Sequence, residues 1–209
     1  MNYIDALKQR YSVKKFNKNL LVSRENLSSI LEAGKLAASS LGLQPYRILV
    51  VESEDLKEKL IPTFGNPSQI STCSHLVVLI SRKNIEQNYV DGYFNHISKV
   101  RKTALENLNG FKYTINHHLE TLPEKELENW AEKQTYIVLG NLMFAAALEK
   151  VDSCPMEGFN AEEIEKILEI DTVKEKVCVT LALGYRAEDD FFRTLEKVRK
   201  PDEKMFKFL

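Results

Sequence analysis

The sequence predicts a single domain that mixes helices with a few buried strands. Three short runs read as strands: Tyr46 to Val51, largely buried, His75 to Ser81, buried, and Val177 to Leu183, a third strong strand pattern. Longer segments between and around them repeat their apolar residues at helical spacing. A chain of 209 residues suits one domain over 1–209, with a lid or flap around 83–122.

Charged residues make up 28 % and hydrophobic residues 44 %, the balance of an ordinary globular chain. A net charge of −1 argues against a nucleic-acid partner held by a strongly basic surface. Cys73, Cys154 and Cys178 are odd in number, widely spaced and without a zinc-like pattern, which fits buried thiols in a reducing compartment. The N-terminus has no apolar core of a secretory signal. The longest apolar run, 137–148, contains Gly140 and Asn141 and is too short to span a bilayer. A cytoplasmic protein with no membrane partner is expected.

Along the chain, 3–9 reads as a short helix with Ile4 and Leu7 inward. The following Arg10-Tyr11-Ser12-Val13-Lys14-Lys15-Phe16, if extended, places Arg10, Ser12 and Lys14 on one side and Tyr11 and Val13 on the other. That is either a solvated strand with a polar face or a phosphate site, with Arg as planar fork, Ser as hydroxyl and Lys as movable charge. Ser23 caps a helix over 24–38 with Leu27, Ile30, Leu31 and Gly34 on one stripe. Ser39-Ser40-Leu41-Gly42-Leu43-Gln44-Pro45 stops it. After the first strand, 54–60 is a short helix closed by Pro62, and Phe64-Gly65-Asn66-Pro67 is a turn.

From Glu86 to about Leu108 the pattern is helical, and Asn109-Gly110 breaks it. The polar-aromatic segment 111–122 reads as a mobile flap whose Phe111 and Tyr113 are available to cover a substrate. His117 and His118 point apart on any regular element, so no metal site is expected there. Pro123 opens the longest helix, to Leu148; its second half is apolar nearly all round and belongs in a core or a subunit interface. Cys154 to Asn160 reads as a short loop before a helix over 161–168. Either Asn160 simply caps that helix, or Pro155 and Gly158 make a stiff frame from which the amides of Glu157 and Gly158 meet a planar partner. Lys197 and Arg199 share one side of an extended segment. Met205 to Leu209 alternates like a strand that pairs with another subunit.

Taken in order, Arg10-x-Ser12-x-Lys14, Ser39-Ser40-x-x-x-Gln44-Pro45, Pro155-x-Glu157-Gly158-Phe159 and Leu183-Gly184-Tyr185-Arg186 with Lys197-x-Arg199 resemble the FMN-dependent nitroreductase family. The closest branch is that of the oxygen-insensitive NAD(P)H nitroreductases and dihydropteridine reductases. The resemblance runs from the first helix to Pro201 and is weakest over 83–122. It implies an α+β fold with a mostly antiparallel central sheet flanked by helices. It also implies an intertwined homodimer with an exchanged C-terminal strand and FMN at the interface.

Carried over by position, the resemblance makes Arg10, Ser12, Lys197 and Arg199 a phosphate cradle with Tyr11 beside it. Lys14 would reach N1 and O2 of the flavin, and Asn66 its pyrimidine edge. Glu157 and Gly158 would offer amides to N5 and O4, backed by Pro155 and Met156. Ser39, Ser40, Leu41 and Gly42 would come from the partner subunit, with Ile137 lining the flavin from across the interface. Two departures stand out. Gln69 occupies a position where relatives often carry Lys, leaving Lys14 as the main cation, and Gly42 replaces a common Asn.

The physical chemistry agrees with the family reading. A dianionic phosphate suits three cations and a hydroxyl. A flavin brings its own redox chemistry, so no triad or carboxylate pair is needed. The glycines never fall in Gly-x-Gly-x-x-Gly. NADH or NADPH would therefore stack on the flavin, deliver a hydride to N5 and leave before a small planar acceptor enters, giving ping-pong kinetics. Nitroaromatics, quinones and pterins fit that description. Two rival readings are a specialised flavin-consuming or dehalogenating member with a substrate clamp in 83–122, and a non-catalytic dimeric interaction protein built on the 137–148 helix.

Overall fold

The computed structural model describes residues 2–209. Four strands, β1 (Tyr46–Val51), β2 (His75–Arg82), β3 (Asp152–Met156) and β4 (Glu175–Gly184), form one sheet in the order β1-β2-β4-β3, every pair antiparallel. Tyr46 faces Ser81, His75 faces Leu183 and Asp152 faces Gly184. A register shift falls between Leu79 and Ile80. The expected α+β fold with an antiparallel sheet is what the chain adopts.

The nine α-helices among the described residues are α1 (Tyr3–Gln9), α2 (Arg24–Lys35), α3 (Glu54–Leu60), α4 (Pro67–Thr72), α5 (Gln87–Arg101), α6 (Asn109–Thr121), α7 (Glu124–Leu148), α8 (Ala161–Ile167) and α9 (Asp202–Met205). They cover both faces of the sheet, which is why β2 reads as an unbroken apolar run. Leu76, Val78 and Ile80 pack with Leu60 of α3, Ile70 of α4 and Ile164 of α8. Val77 and Leu79, on the opposite face, pack with Leu27 and Ile30 of α2 and Val138 and Leu142 of α7. Each such fully buried side chain contributes about 1.5–3 kcal/mol before entropic losses. Gly34 lets α2 and α7 approach closely, since a Cβ there would stand 2.6 Å from a Leu142 methyl. A satellite cluster of Leu43, Val90, Phe94, Ile97 and Ile115 joins α5 and α6, with Trp130 of α7 packed against it.

Several boundaries differ from the sequence reading. α2 stops at Lys35, three residues early, and α4 went unread because Asn66-Pro67 looked like turn chemistry alone. Pro at the first helical position starts a helix as readily as it closes a turn. The long helix beginning near residue 86 ends at Arg101 with left-handed Lys102, and Asn109-Gly110 begins α6. Residues 111–122 are therefore almost wholly helical, held by Ile115 and by Phe111 stacked edge-on against Phe94 at 5.5 Å. Cys154, Pro155 and Met156 are strand, not loop; Pro155 is tolerated because β3 is last in the sheet order. At the C-terminus a helical turn runs to Met205, and 206–209 joins no strand of its own chain.

Candidate functional site

The segment after α1 is extended and runs beside β3: Ser12 bridges Ser153 in parallel, and Phe16 bridges Arg186. Val13 is 0 % exposed, so alternation turns Ser12 and Lys14 away from the core as expected; the pattern ends before Phe16, which is buried although it has the parity of Lys14. Asp190, itself buried, fixes this stretch by accepting from the Lys14 amide at 3.0 Å and the Tyr11 hydroxyl at 3.1 Å. Burial and then Asp190 hold the Tyr11 phenol above its ordinary pKa, so it stays a donor.

The C-terminal arm returns to the same place. Arg10, Tyr11, Ser12, Lys14, Lys197 and Arg199 line one cavity of about 540 Å³, with Arg186 and Phe192. The Lys197 ammonium donates to the carbonyls of Leu7 and Arg10, the loose end of α1, as a cation suits a helix C-terminus. Arg186 is neutralised by the Asp152 carboxylate, which accepts from its Nε at 3.0 Å on both oxygens. By contrast, Arg10, Lys14, Lys197 and Arg199 make no ion pair among the described residues. Arg10 Nε is buried with no hydrogen-bond partner. Burial first, then Arg199, lowers the Arg10 pKa; burial, Arg10 and Arg199 lower that of Lys197. Crowded, unpaired cations around a partnerless donor are the signature of an anion site, and the residues fit a phosphate.

Lys14 also lines a second cavity of about 310 Å³, with Asn66, Gln69, Pro155, Met156, Glu157 and Gly158. The two cavities thus meet at one lysine. The turn 157–160 is pinned to 63–65: the Gly65 amide donates to Gly158 O at 2.9 Å, and the Asn160 amide to Thr63 O at 2.8 Å. Asn160 also caps α8, accepting from the Glu163 amide at 3.3 Å. The amides of Glu157 and Gly158 themselves donate to no carbonyl among the described residues, leaving two adjacent donors for a ligand. Gln69 is 4 % exposed and points its amide into the core, donating to Cys154 Sγ at 2.7 Å.

The residues expected to serve the partner's site, and the two candidate substrate residues, lie outside both cavities of their own chain. Ser39, Ser40, Leu41 and Gly42 line neither cavity; Gly42 lines a third, of about 650 Å³, beside Tyr89 and Tyr93. They form a tight 3₁₀ turn with Leu41 at φ 59° and Gly42 at φ 71°, its Ser40 amide donating to Gln134 Oε1 at 2.8 Å. Ile137 is 44 % exposed on α7 and lines neither cavity, as do Phe111 and Tyr113, the latter 72 % exposed. Residues that sequence reasoning missed are Arg186, Asp152, Asp190 and Tyr136. Arg186 stood in the Gly184-Tyr185-Arg186 motif, so a signal existed. The others act through partners far away in the chain, and no local pattern marks them.

A family model described as the Nitroreductase family matches residues 7–185. A Staphylococcus haemolyticus protein provisionally named an NAD(P)H nitroreductase is 38 % identical over 217 residues, covering 99 % of this chain and 96 % of the relative. A Staphylococcus epidermidis crystal structure, provisionally described as an NAD(P)H:FMN oxidoreductase, matches at TM-score 0.87 and 26 % identity, over 100 % of this chain and 97 % of that one. A provisionally described nitroreductase from Exiguobacterium sibiricum, solved in complex with FMN, matches at TM-score 0.87 and 22 % identity, over 100 % and 98 %.

Proposed function

The chain belongs to the nitroreductase family, and from that premise we propose that it is an FMN-dependent NAD(P)H oxidoreductase. FMN held there would supply the redox chemistry, with NADH or NADPH as hydride donor and a small planar nitroaromatic, quinone or pterin as two-electron acceptor.

One observation carries the reading: a basic cavity holding a partnerless arginine donor shares Lys14 with a smaller cavity lined by Glu157 and Gly158, whose amides are unpaired. Arg10, Ser12, Lys197 and Arg199 bind the phosphate, with Tyr11 and Asp190 holding their frame. Lys14, which lines both cavities, would be the cation common to phosphate and ring. Asn66, Glu157 and Gly158 would supply donors to the ring, with Pro155 and Met156 lining the same cavity. Gln69, turned toward Cys154, leaves Lys14 as the cation facing the ring.

The same reading makes the protein a cytoplasmic homodimer. Ile137, Phe144 and Leu148 on α7 and Tyr3 on α1 are exposed, a large apolar face for a partner. β1 ends the sheet, and the tail beyond Met205 is bare, with Phe208 97 % exposed. Exchange of that tail onto a second copy would cover both. Ser39–Gly42 and Ile137 then complete the partner's site, and α5–α6 with Phe111 and Tyr113 serve as its lid. The test is steady NADPH or NADH oxidation by FMN-loaded protein with menadione or nitrofurazone as acceptor; loaded protein that turns over neither would contradict the proposal.

A further inference from the structure

We infer that Tyr136 is a positioning residue for this site: by donating to the Glu157 carboxylate it fixes the turn that presents the Glu157 and Gly158 amides. What those amides meet rests on the cofactor reading above; the clamp itself does not.

The turn is held unevenly. Its far side, Gly158 to Asn160, is tied to Thr63 and Gly65 by main-chain bonds and by the Phe64–Phe159 bridge. Its near side, Glu157, follows the last residue of β3 and makes only a local main-chain bond, accepting from the Phe159 amide at 3.0 Å. The one long-range tie on Glu157 is its side chain, whose Oε1 accepts from Tyr136 Oη at 2.5 Å. Tyr136 sits on the 25-residue α7, the stiffest frame the fold offers. Two positions earlier on that helix, Gln134 accepts from the Ser40 amide. One helix therefore holds both the ring-edge turn and the 39–42 turn. Burial, then the Glu157 bond, keeps the Tyr136 phenol protonated well above its usual range, so it remains a donor at neutral pH. A charge-assisted bond of this kind suits a clamp on an otherwise exposed loop.

The experiment compares wild type, Tyr136→Phe and Glu157→Gln, the last of which keeps an acceptor for Oη. Hydrogen exchange of the Gly65 and Phe159 amides, which donate to Gly158 O and Glu157 O, reads the turn without cofactor. Tyr136→Phe should speed both about tenfold and Glu157→Gln much less, since the first deletes the bond and the second keeps it as a neutral one. In FMN-loaded protein, Tyr136→Phe should slow flavin reduction by NADPH about tenfold and shift the flavin midpoint potential, with FMN affinity changed less than about threefold. Unchanged exchange and potential in Tyr136→Phe would overturn the inference, as would loss of FMN matching that of Arg199→Ala. If wild type takes up no FMN, the cofactor reading fails while the exchange arm still decides the clamp.

Discussion

The Lys197 ammonium donates to the main-chain carbonyl of Arg10, a contact across 187 positions of sequence. It closes the basic cavity with the C-terminal arm, where burial first and then Arg199 depress the Arg10 pKa. Arg10→Ala and Arg199→Ala should each weaken FMN binding about 10- to 100-fold, the loss of one or two charge-assisted bonds. Glu157→Ala, which keeps its amide, should cost less than either. Flavin-fluorescence titration checks this; the reverse order would break the division of roles.

Gly42 and Tyr93 are coupled. A Cβ at Gly42 would lie 2.5 Å from the Tyr93 hydroxyl, which donates to Leu41 O at 3.1 Å. Gly42→Ala should lose that bond and also carry left-handed strain at φ 71°, about 2 kcal/mol together. In a Tyr93→Phe background only the strain remains, about 1 kcal/mol. Urea denaturation of the four proteins should show that non-additivity; strictly additive effects would mean the turn relaxes freely.

In the core, Leu142 is buried between α2 and the sheet and touches the Gly34 backbone. Leu142→Ala should destabilise the protein by about 2–5 kcal/mol in chemical denaturation, because packed helices on both sides limit collapse of the cavity.

His75 sets a pH dependence. Burial, aided by Lys57 and Arg24 and opposed by Glu52, lowers its pKa below 6.5. The unfolded chain then binds the proton more readily, so this group lowers stability in acid, and stability recovers as pH rises through the lowered value toward 6.5. His75→Gln should flatten the rise of unfolding free energy as pH increases toward 6.5. A wild-type slope that survives the substitution would assign it elsewhere.

What could be read from sequence follows the range of the interactions. β2 and β4 were legible because burial on both faces writes a continuous apolar run, as in Leu76 to Ile80; β1 was legible from its aromatic and β-branched residues, although only Val51 in it is buried. The Arg10–Lys14 alternation was legible because pleating has a period of two. β3 was not, since Pro155 and Gly158 mark turns locally while pairing with Thr180 to Gly184 makes a strand. Asp190 holding Lys14 and Tyr136 holding Glu157 are tertiary bonds without a local signature. The helix over 109–121 was masked by its polar-aromatic composition and settled by packing on Phe94 and Trp130.

The most direct test of the central claim, that a cluster of unpaired cations grips a mononucleotide phosphate, is calorimetric titration of the flavin-free protein with FMN and with riboflavin. The account predicts that FMN binds at least about 100-fold more tightly and colours the protein yellow, a difference that Arg10→Ala largely abolishes. Equal affinity for the two flavins, or no binding of either, would contradict it.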